Sequence, residues 1–417
     1  MIEPEALAAS VSERRLWDRH EALARFGATP RGGVNRQALT DAEIAARRQM
    51  LDWAAAIGLE PATDPAGNLF LRLPGREPAL APILSGSHLD TQPTSGKYDG
   101  VFGVLAALEA VEVMRARGFT PRRSIDVVAW MNEEGSRFAP GMMGSEAFAG
   151  IRPLDEIAAV KDAGGVSVKA ELSRMSAAFR DVPQRPLGFP IAGFVEAHIE
   201  QGPELDAAGL PIGVVTGIQG KKTFRVRITG EEAHAGTTPR RARRDALRAA
   251  AAMVDALHRA MVDEDDVVRF TVGRLVVAPN APSVIPGEVT FSIDLRHPDR
   301  DALDRFGAAV AEICARLAAP CAVQVEPLVD AAPLAFPREM QALIRSIAER
   351  LRLPHMDLPS AAGHDARNLH YVCPTGMIFV PCEKGISHNE AEAAKPDDLA
   401  AGARVLTAVL AELAERS

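Results

Sequence analysis

A chain of 417 residues is too long for one ordinary domain and sets an expectation of two. Close to half of it is hydrophobic and 24% is charged, the composition of a soluble globular protein with a large core. A net charge of −8, with no basic stripe carrying interleaved aromatics, argues against a nucleic-acid partner.

The opening "MIEPEALAASVSERRLWDRH" is polar and mixed in charge, with no apolar targeting core. No later window approaches ~18 consecutive apolar residues, so no membrane partner is expected and a soluble, cytoplasmic protein is. In chain order, "DAEIAARRQMLDWAAAIGLE" reads as an amphipathic helix and "GNLFLRLPG" as a strand. "APILSGSHLDT" is a buried strand running into a polar loop. "DGVFGVLAALEAVEVMRARG" is a helix stopped at Gly118, and "SIDVVAWMNEE" a second buried strand. Strands alternating with helices imply an α/β fold with a mostly parallel sheet, whose chemistry lies at the carboxyl ends of its strands.

From about Thr216 the texture changes. "GKKTFRVRITGEEAH" alternates with period two. The helix "RRDALRAAAAMVDALHRAMV", the strands "VVRFTVGRLVVAP" and "EVTFSIDLRHP", the helix "RDALDRFGAAVAEICARLAA" and the strand "AVQVEPLV" follow. This β-α-β-β-α-β order predicts a ferredoxin-like α+β domain over residues 216–329. It would be inserted into a discontinuous catalytic domain of residues 1–215 and 330–417. The cysteines, Cys314, Cys321, Cys373 and Cys382, show no CxxC spacing and read as buried free thiols.

Chemistry concentrates where apolar runs end. His88 closes the "APILSGSH" strand, with Asp90 two residues on. Asp99 lies in the glycine-flanked "SGKYDG"; Glu133 and Glu134 follow a buried strand in "NEEG"; His198 sits in "VEAHIEQGP" and His388 in "KGISHNEAE". Each alone has an ordinary surface reading, whereas four such features at strand ends point to a common site. Imidazole and carboxylate without thiolate suit zinc, manganese, cobalt or nickel. Two such ions ~3.5–4 Å apart share a bridging carboxylate and activate a water, with Asp99 a reasonable bridge. Asp90, on the same side of an extended backbone as His88, is expected to fix that imidazole. In "NEEG" one carboxylate would bind metal while its neighbour takes a proton.

Together "GSHLDTQPTSGKYDGVFGVLAALE", "NEEGSRF", "EAHIEQGP", "AHAGTTP", "VIPGEV", "DLRHPD", "AGHDA" and "GISHNEAE" resemble the carbamoylase branch of the dinuclear-metal aminoacylase and carboxypeptidase superfamily. That branch holds N-carbamoyl-L-amino-acid hydrolases, β-ureidopropionases and allantoate amidohydrolases. The resemblance implies one divalent ion on His88, Asp99 and His198 and a second on Asp99, Glu134 and His388. Glu133 would be general base and then acid.

The same resemblance makes His234, in "EEAHAGTTP", a donor to the carbamoyl oxygen, supplied across a homodimer interface. Arg296 would grip the carboxylate of a small-molecule substrate, supported by Asn280. Gln201, His364 and the Gly363 backbone would also face substrate. The inserted domain would serve as a dimerisation and lid domain whose closure accompanies binding. The run "RRARRD" reads as a solvated or interface face, and His20, His258, His297, His355 and His370 as structural. The expected activity is hydrolysis of N-carbamoyl-L-amino acids or N-carbamoyl-β-alanine. Allantoate hydrolysis is the first alternative. An aminoacylase or peptidase, and a non-enzymatic metal or metabolite binder, stand further off.

Overall fold

The computed structural model describes residues 2–416, which form two compact units. One takes the chain up to Thr216 and from Phe336 onward; the other is Gly217–Ala335.

In the first unit four parallel strands lie side by side in the order Ile125–Trp130, Ile83–His88, Gly193–Ile199, Thr375–Val380. Every position in all four is buried. Their near-continuous apolar runs are what a sheet covered on both faces requires. Both flanks are antiparallel. Leu69–Leu73 and then Glu60–Thr63 extend one side, and Ile212–Ile218 borders Thr375–Val380 on the other.

Helix Val101–Ala116 packs on the Ile83–His88 and Gly193–Ile199 strands and against helix Pro396–Glu415. It is buried on nearly every side, which explains why its sequence is apolar all round rather than along one stripe. Its one interior carboxylate, Glu109, is held by the Arg15 guanidinium at 2.6 Å and the Ser12 N–H at 2.8 Å. The helix ends at Gly118, whose φ of +69° suits glycine. Helix Asp41–Ala56 starts as its sequence indicates, with the Thr40 hydroxyl accepting from the Glu43 N–H. The helices Met143–Phe148, Leu154–Ala159 and Val168–Ala178 are additions that periodicity did not reveal.

The second unit is a four-stranded antiparallel sheet ordered Ala322–Ala331, Gly220–Thr229, Glu288–His297, Arg269–Ala278. Helices Ala246–Ala260 and Arg300–Leu317, capped by Asp245 and Asp299, complete the ferredoxin-like order. Phe224, Val226 and Ile228 alternate inward beside Val289, Phe291, Ile293 and Leu295, so each of the two central strands buries one face. The last strand runs through a bulge between Pro327 and Val329 to Ala331, beyond the border expected at residue 329. A short pairing of Ala233–His234 with Val284–Ile285 was not anticipated. All four cysteines are buried and free.

Candidate active site

Because the four central strands are parallel, their carboxyl ends lie along one edge of the sheet. His88 is the last residue of its strand, His198 is next to last in Gly193–Ile199, and Glu133 and Glu134 follow Ile125–Trp130. His388 is carried by the loop after Thr375–Val380. Asp99 stands just before helix Val101–Ala116.

The side chains converge on Asp99. Its Oδ1 faces His198 Nε2 at 3.3 Å and His88 Nε2 at 3.9 Å. Its Oδ2 faces His388 Nε2 at 3.1 Å, and that nitrogen is 3.5 Å from Glu134 Oε2. Two groups result, His88–Asp99–His198 and Asp99–Glu134–His388, each with its ligand atoms within 4.8 Å of one another.

Both buried imidazoles are pre-set. His88 Nδ1 lies 2.9 Å from the Asp90 carbonyl and His198 Nδ1 2.8 Å from the Ile199 carbonyl. Each Nδ1 therefore donates, which leaves Nε2 unprotonated in the neutral ring on the Asp99 side, that of His198 accepting the Gly100 N–H at 3.1 Å. Gly100 gives the His88 ring its room, since a Cβ at this position would lie 2.3 Å from Cε1.

One expectation needs correcting. The Asp90 carboxylate does not hold the His88 ring; its Oδ1 is 3.8 Å from Nδ1, while the backbone carbonyl makes the bond. The strand ends at His88, so the alternation that would have placed both side chains on one face ends there too. Asp90 instead accepts the backbone N–H groups of Glu133 and Glu134, both at 3.2 Å, and fixes the turn that presents the two glutamates.

The two glutamates diverge. Glu134 is pinned by the Gln92 side chain at 2.8 Å and the Gln92 N–H at 3.1 Å. Glu133 Oε2 sits 3.5 Å from His88 Nε2 and belongs to neither ligand group. Gln201 donates to Asp99 Oδ2 at 3.0 Å and to the Ser387 hydroxyl at 3.1 Å, so its amide supports the Asp99 carboxylate. His364 is buried with its ring centroid 4.5 Å from that of His198 and Nε2 2.9 Å from the Ser360 hydroxyl. With Glu196 and His198 it forms a third candidate ligand group that was not foreseen. Gly363 lies exposed in the preceding loop.

Sequence reasoning also missed three buried carboxyls. Glu196 accepts from the Ser87 hydroxyl at 2.6 Å and the Ala366 N–H at 2.8 Å. Asp365 accepts from the Ser145 hydroxyl, and Glu392 is bound to the Asp99 loop. Glu196 stands inside the apolar run GFVEAHI, whereas Asp365 and Glu392 lie in polar loops that only the tertiary fold buries.

This crowding strains the acids. Burial, then Asp365, Glu134, Asp90 and Asp99, pushes Glu133 well above the usual carboxylate range. Burial and Asp99 push Glu134 to about 8, against the pull of His388. Burial works against the Asp99 carboxylate, but the imidazoles of His198 and His388 that face it hold it well below its ordinary value. Buried like charges on this scale call for a cation, and donor atoms of the right type already face one another. The oxygen and imidazole donors fit divalent ions such as zinc, manganese, cobalt or nickel.

The other expected residues lie in the second unit. His234 Nδ1 accepts the N–H groups of Gly236 at 3.0 Å and Thr237 at 3.1 Å, which puts the ring proton on Nε2. Arg296 is not a free fork. Its Nε and Nη2 hold Asp294, two residues back on the same strand face, at 2.8 and 3.2 Å. Asn280 is exposed, with φ of +56°.

A parallel α/β sheet with histidines and carboxylates gathered at its carboxyl edge defines the class, and the comparisons name it. Residues 84–412 match Peptidase family M20/M25/M40, and the chain belongs to that family. It is 41% identical over 410 residues to N-carbamoyl-L-amino-acid amidohydrolase of Rhizobium meliloti, covering 97% of each chain. It is 36% identical over 398 residues to allantoate amidohydrolase of Escherichia coli strain K12, covering 94% of this chain and 96% of that one. The crystal structure of an amidase of the hydantoinase/carbamoylase family from Burkholderia vietnamiensis matches with a TM-score of 0.90 at 44% identity, covering 97% of this chain and 98% of that one. The chain is thus an amidohydrolase acting on C–N bonds, of a family typically built around two metal ions. No helix among the described residues is long and apolar enough to cross a membrane.

Proposed function

We propose that the chain hydrolyses the ureido group of N-carbamoyl-L-amino acids, or of N-carbamoyl-β-alanine, to the free amino acid, ammonia and carbon dioxide. The observation that carries this reading is Asp99, which turns one carboxylate oxygen to His88 and His198 and the other to His388. His88, Asp99 and His198 would hold one divalent ion, and Asp99, Glu134 and His388 the other. Such ions, when bound, acidify water and polarise a carbonyl.

The chain's own groups supply the rest. Glu133, outside both ligand groups, takes the proton from the attacking water and returns it to the leaving nitrogen. Burial and neighbouring acids raise its proton affinity, which suits a base that must hold a proton between two steps. His234 offers its Nε2–H to the carbamoyl oxygen. Arg296 binds the substrate carboxylate, exchanging or sharing its grip on Asp294, with Asn280 beside it. Gln201, His364 and the Gly363 backbone contact the remaining substrate. A homodimer belongs to this reading and is supported by Leu275 and Val276, exposed on an edge strand of the second unit. Light scattering at twice 44.5 kDa would establish it.

Allantoate is the second reading, favoured by the 36% identity to an allantoate amidohydrolase. The deciding experiment measures ammonia release by manganese-loaded protein from N-carbamoyl-L-methionine, N-carbamoyl-β-alanine and allantoate side by side. Turnover of either carbamoyl compound with allantoate inert supports the proposal and ranks α against β. Turnover of allantoate alone overturns it.

A further inference from the structure

Glu392 lies four residues past His388 and is only 6% exposed. Its Oε1 accepts the N–H groups of Tyr98 at 2.9 Å and Asp99 at 3.2 Å. Its Oε2 accepts the hydroxyl of Ser387, the residue preceding His388, at 3.0 Å. One carboxyl group therefore ties the backbone that carries Asp99 to the loop that carries His388. Gln201 closes the ring by donating to both Asp99 Oδ2 and Ser387 Oγ. The approach is close enough that a Cβ at Gly96 would lie 2.2 Å from Glu392 Oε1.

The His388 side chain is 49% exposed, on a loop where its own φ is +53°. Besides the Glu392 bridge, its distance from Asp99 is set by the Ser387 hydroxyl, 3.4 Å from Asp99 Oδ2, and by the Gln201 amide, 3.4 Å from His388 Nε2. Glu392 is in neither ligand group around Asp99. Its hydrogen bonds to two backbone amides and a hydroxyl engage both carboxyl oxygens.

We propose that Glu392 is a positioning residue that sets Asp99 against His388, so that the Asp99–Glu134–His388 group closes around an ion. The inference rests on the two-ion reading given above. It predicts that loss of Glu392 weakens one ion and spares the other.

The test titrates manganese into metal-free full-length protein by calorimetry and follows the same samples by electron paramagnetic resonance. Wild type takes two ions and shows the signal of a spin-coupled pair. Glu392→Ala keeps one ion at wild-type affinity, binds the second at least about 30-fold more weakly, and loses the coupled signal. Glu392→Gln restores both, because its amide oxygen still accepts from Tyr98 and Asp99 while its NH2 donates to Ser387. Ser387→Ala, which removes the hydroxyl that joins Glu392, Gln201 and Asp99 beside His388, weakens the same single ion. Two ions at wild-type affinity in Glu392→Ala would overturn the inference. So would loss of both ions together with the thermal transition in the Ala and Gln variants alike, which would make Glu392 a support of the fold alone. Fewer than two ions in wild type would instead sink the two-ion reading, and the inference with it.

Discussion

Gly100→Ala places one methyl group against a candidate metal ligand. The added Cβ would lie 2.3 Å from His88 Cε1 and 2.4 Å from both ring nitrogens, where ordinary contact is 3.4–4 Å. The ring must give way by roughly 1 Å, an overpacking that costs about 1–3 kcal/mol. The backbone there has φ of +67° and ψ of −47°, outside the left-handed helical region, which adds about 1–3 kcal/mol for a residue with a Cβ. The sum is about 2–6 kcal/mol. For a unit of about 300 residues this lowers the melting temperature by roughly 3–10 °C. Gly118→Ala is the control. Its φ of +69° is also positive, but nothing lies within 4 Å of the added atom, so it carries a backbone cost without the clash. Manganese calorimetry on both variants separates the effects. Gly100→Ala should lose affinity for an ion by about 100-fold, equivalent to roughly 2.7 kcal/mol, and Gly118→Ala should lose none. Wild-type metal binding in Gly100→Ala would refute the placement of His88.

Three further outcomes are expected. Glu133→Gln should lower kcat by about 10²–10⁴ while both ions stay bound; turnover within tenfold of wild type would remove Glu133 as the base. Arg243→Ala, which deletes bonds to the Thr238 and Ala235 carbonyls at 3.0 and 2.7 Å, should release the loop that fixes the His234 tautomer. Steady-state kinetics should then show kcat/KM down about 10–100-fold with metal content unchanged, and 15N NMR should show the His234 ring proton no longer confined to Nε2. His20 is buried beside Tyr98 and Phe102, and burial pushes its imidazole down from 6.5 to about 3 despite a Lys97 backbone contact. The unfolded chain therefore takes up a proton first as pH falls. Stability is full above about pH 6.5 and declines below it, by about 2 kcal/mol at pH 5. Denaturant unfolding of His20→Leu should be flatter across that window; an unchanged slope would contradict this.

The helices and strands that carry the site were legible because long apolar runs end in charged residues. "VVAWMNEE" shows where a core strand stops and its chemistry begins, and Glu133 and Glu134 lie there in the structure. Asp90 was misread for a physical reason: strand alternation holds only while the strand does, and it ends at His88. Arg296 reads as a free fork in "DLRHPD", yet the same two-residue period that exposes it sets Asp294 beside it. Asp365 and Glu392 were out of reach, since an acid buried by contacts 100 or more residues away has no local mark, whereas Glu196 was marked by its apolar run GFVEAHI and overlooked there. The helices Met143–Phe148, Leu154–Ala159 and Val168–Ala178 were likewise missed; the first two have only 6 residues each, too few to display a period.

The most direct test is anomalous diffraction from crystals of the manganese-loaded protein, measured on both sides of the metal edge. Two peaks separated by roughly 3.5–4 Å should appear, with Asp99 between them. His88 and His198 should bind one, and Glu134 and His388 the other. A single peak, or one seated on Glu196, His198 and His364, would contradict the account.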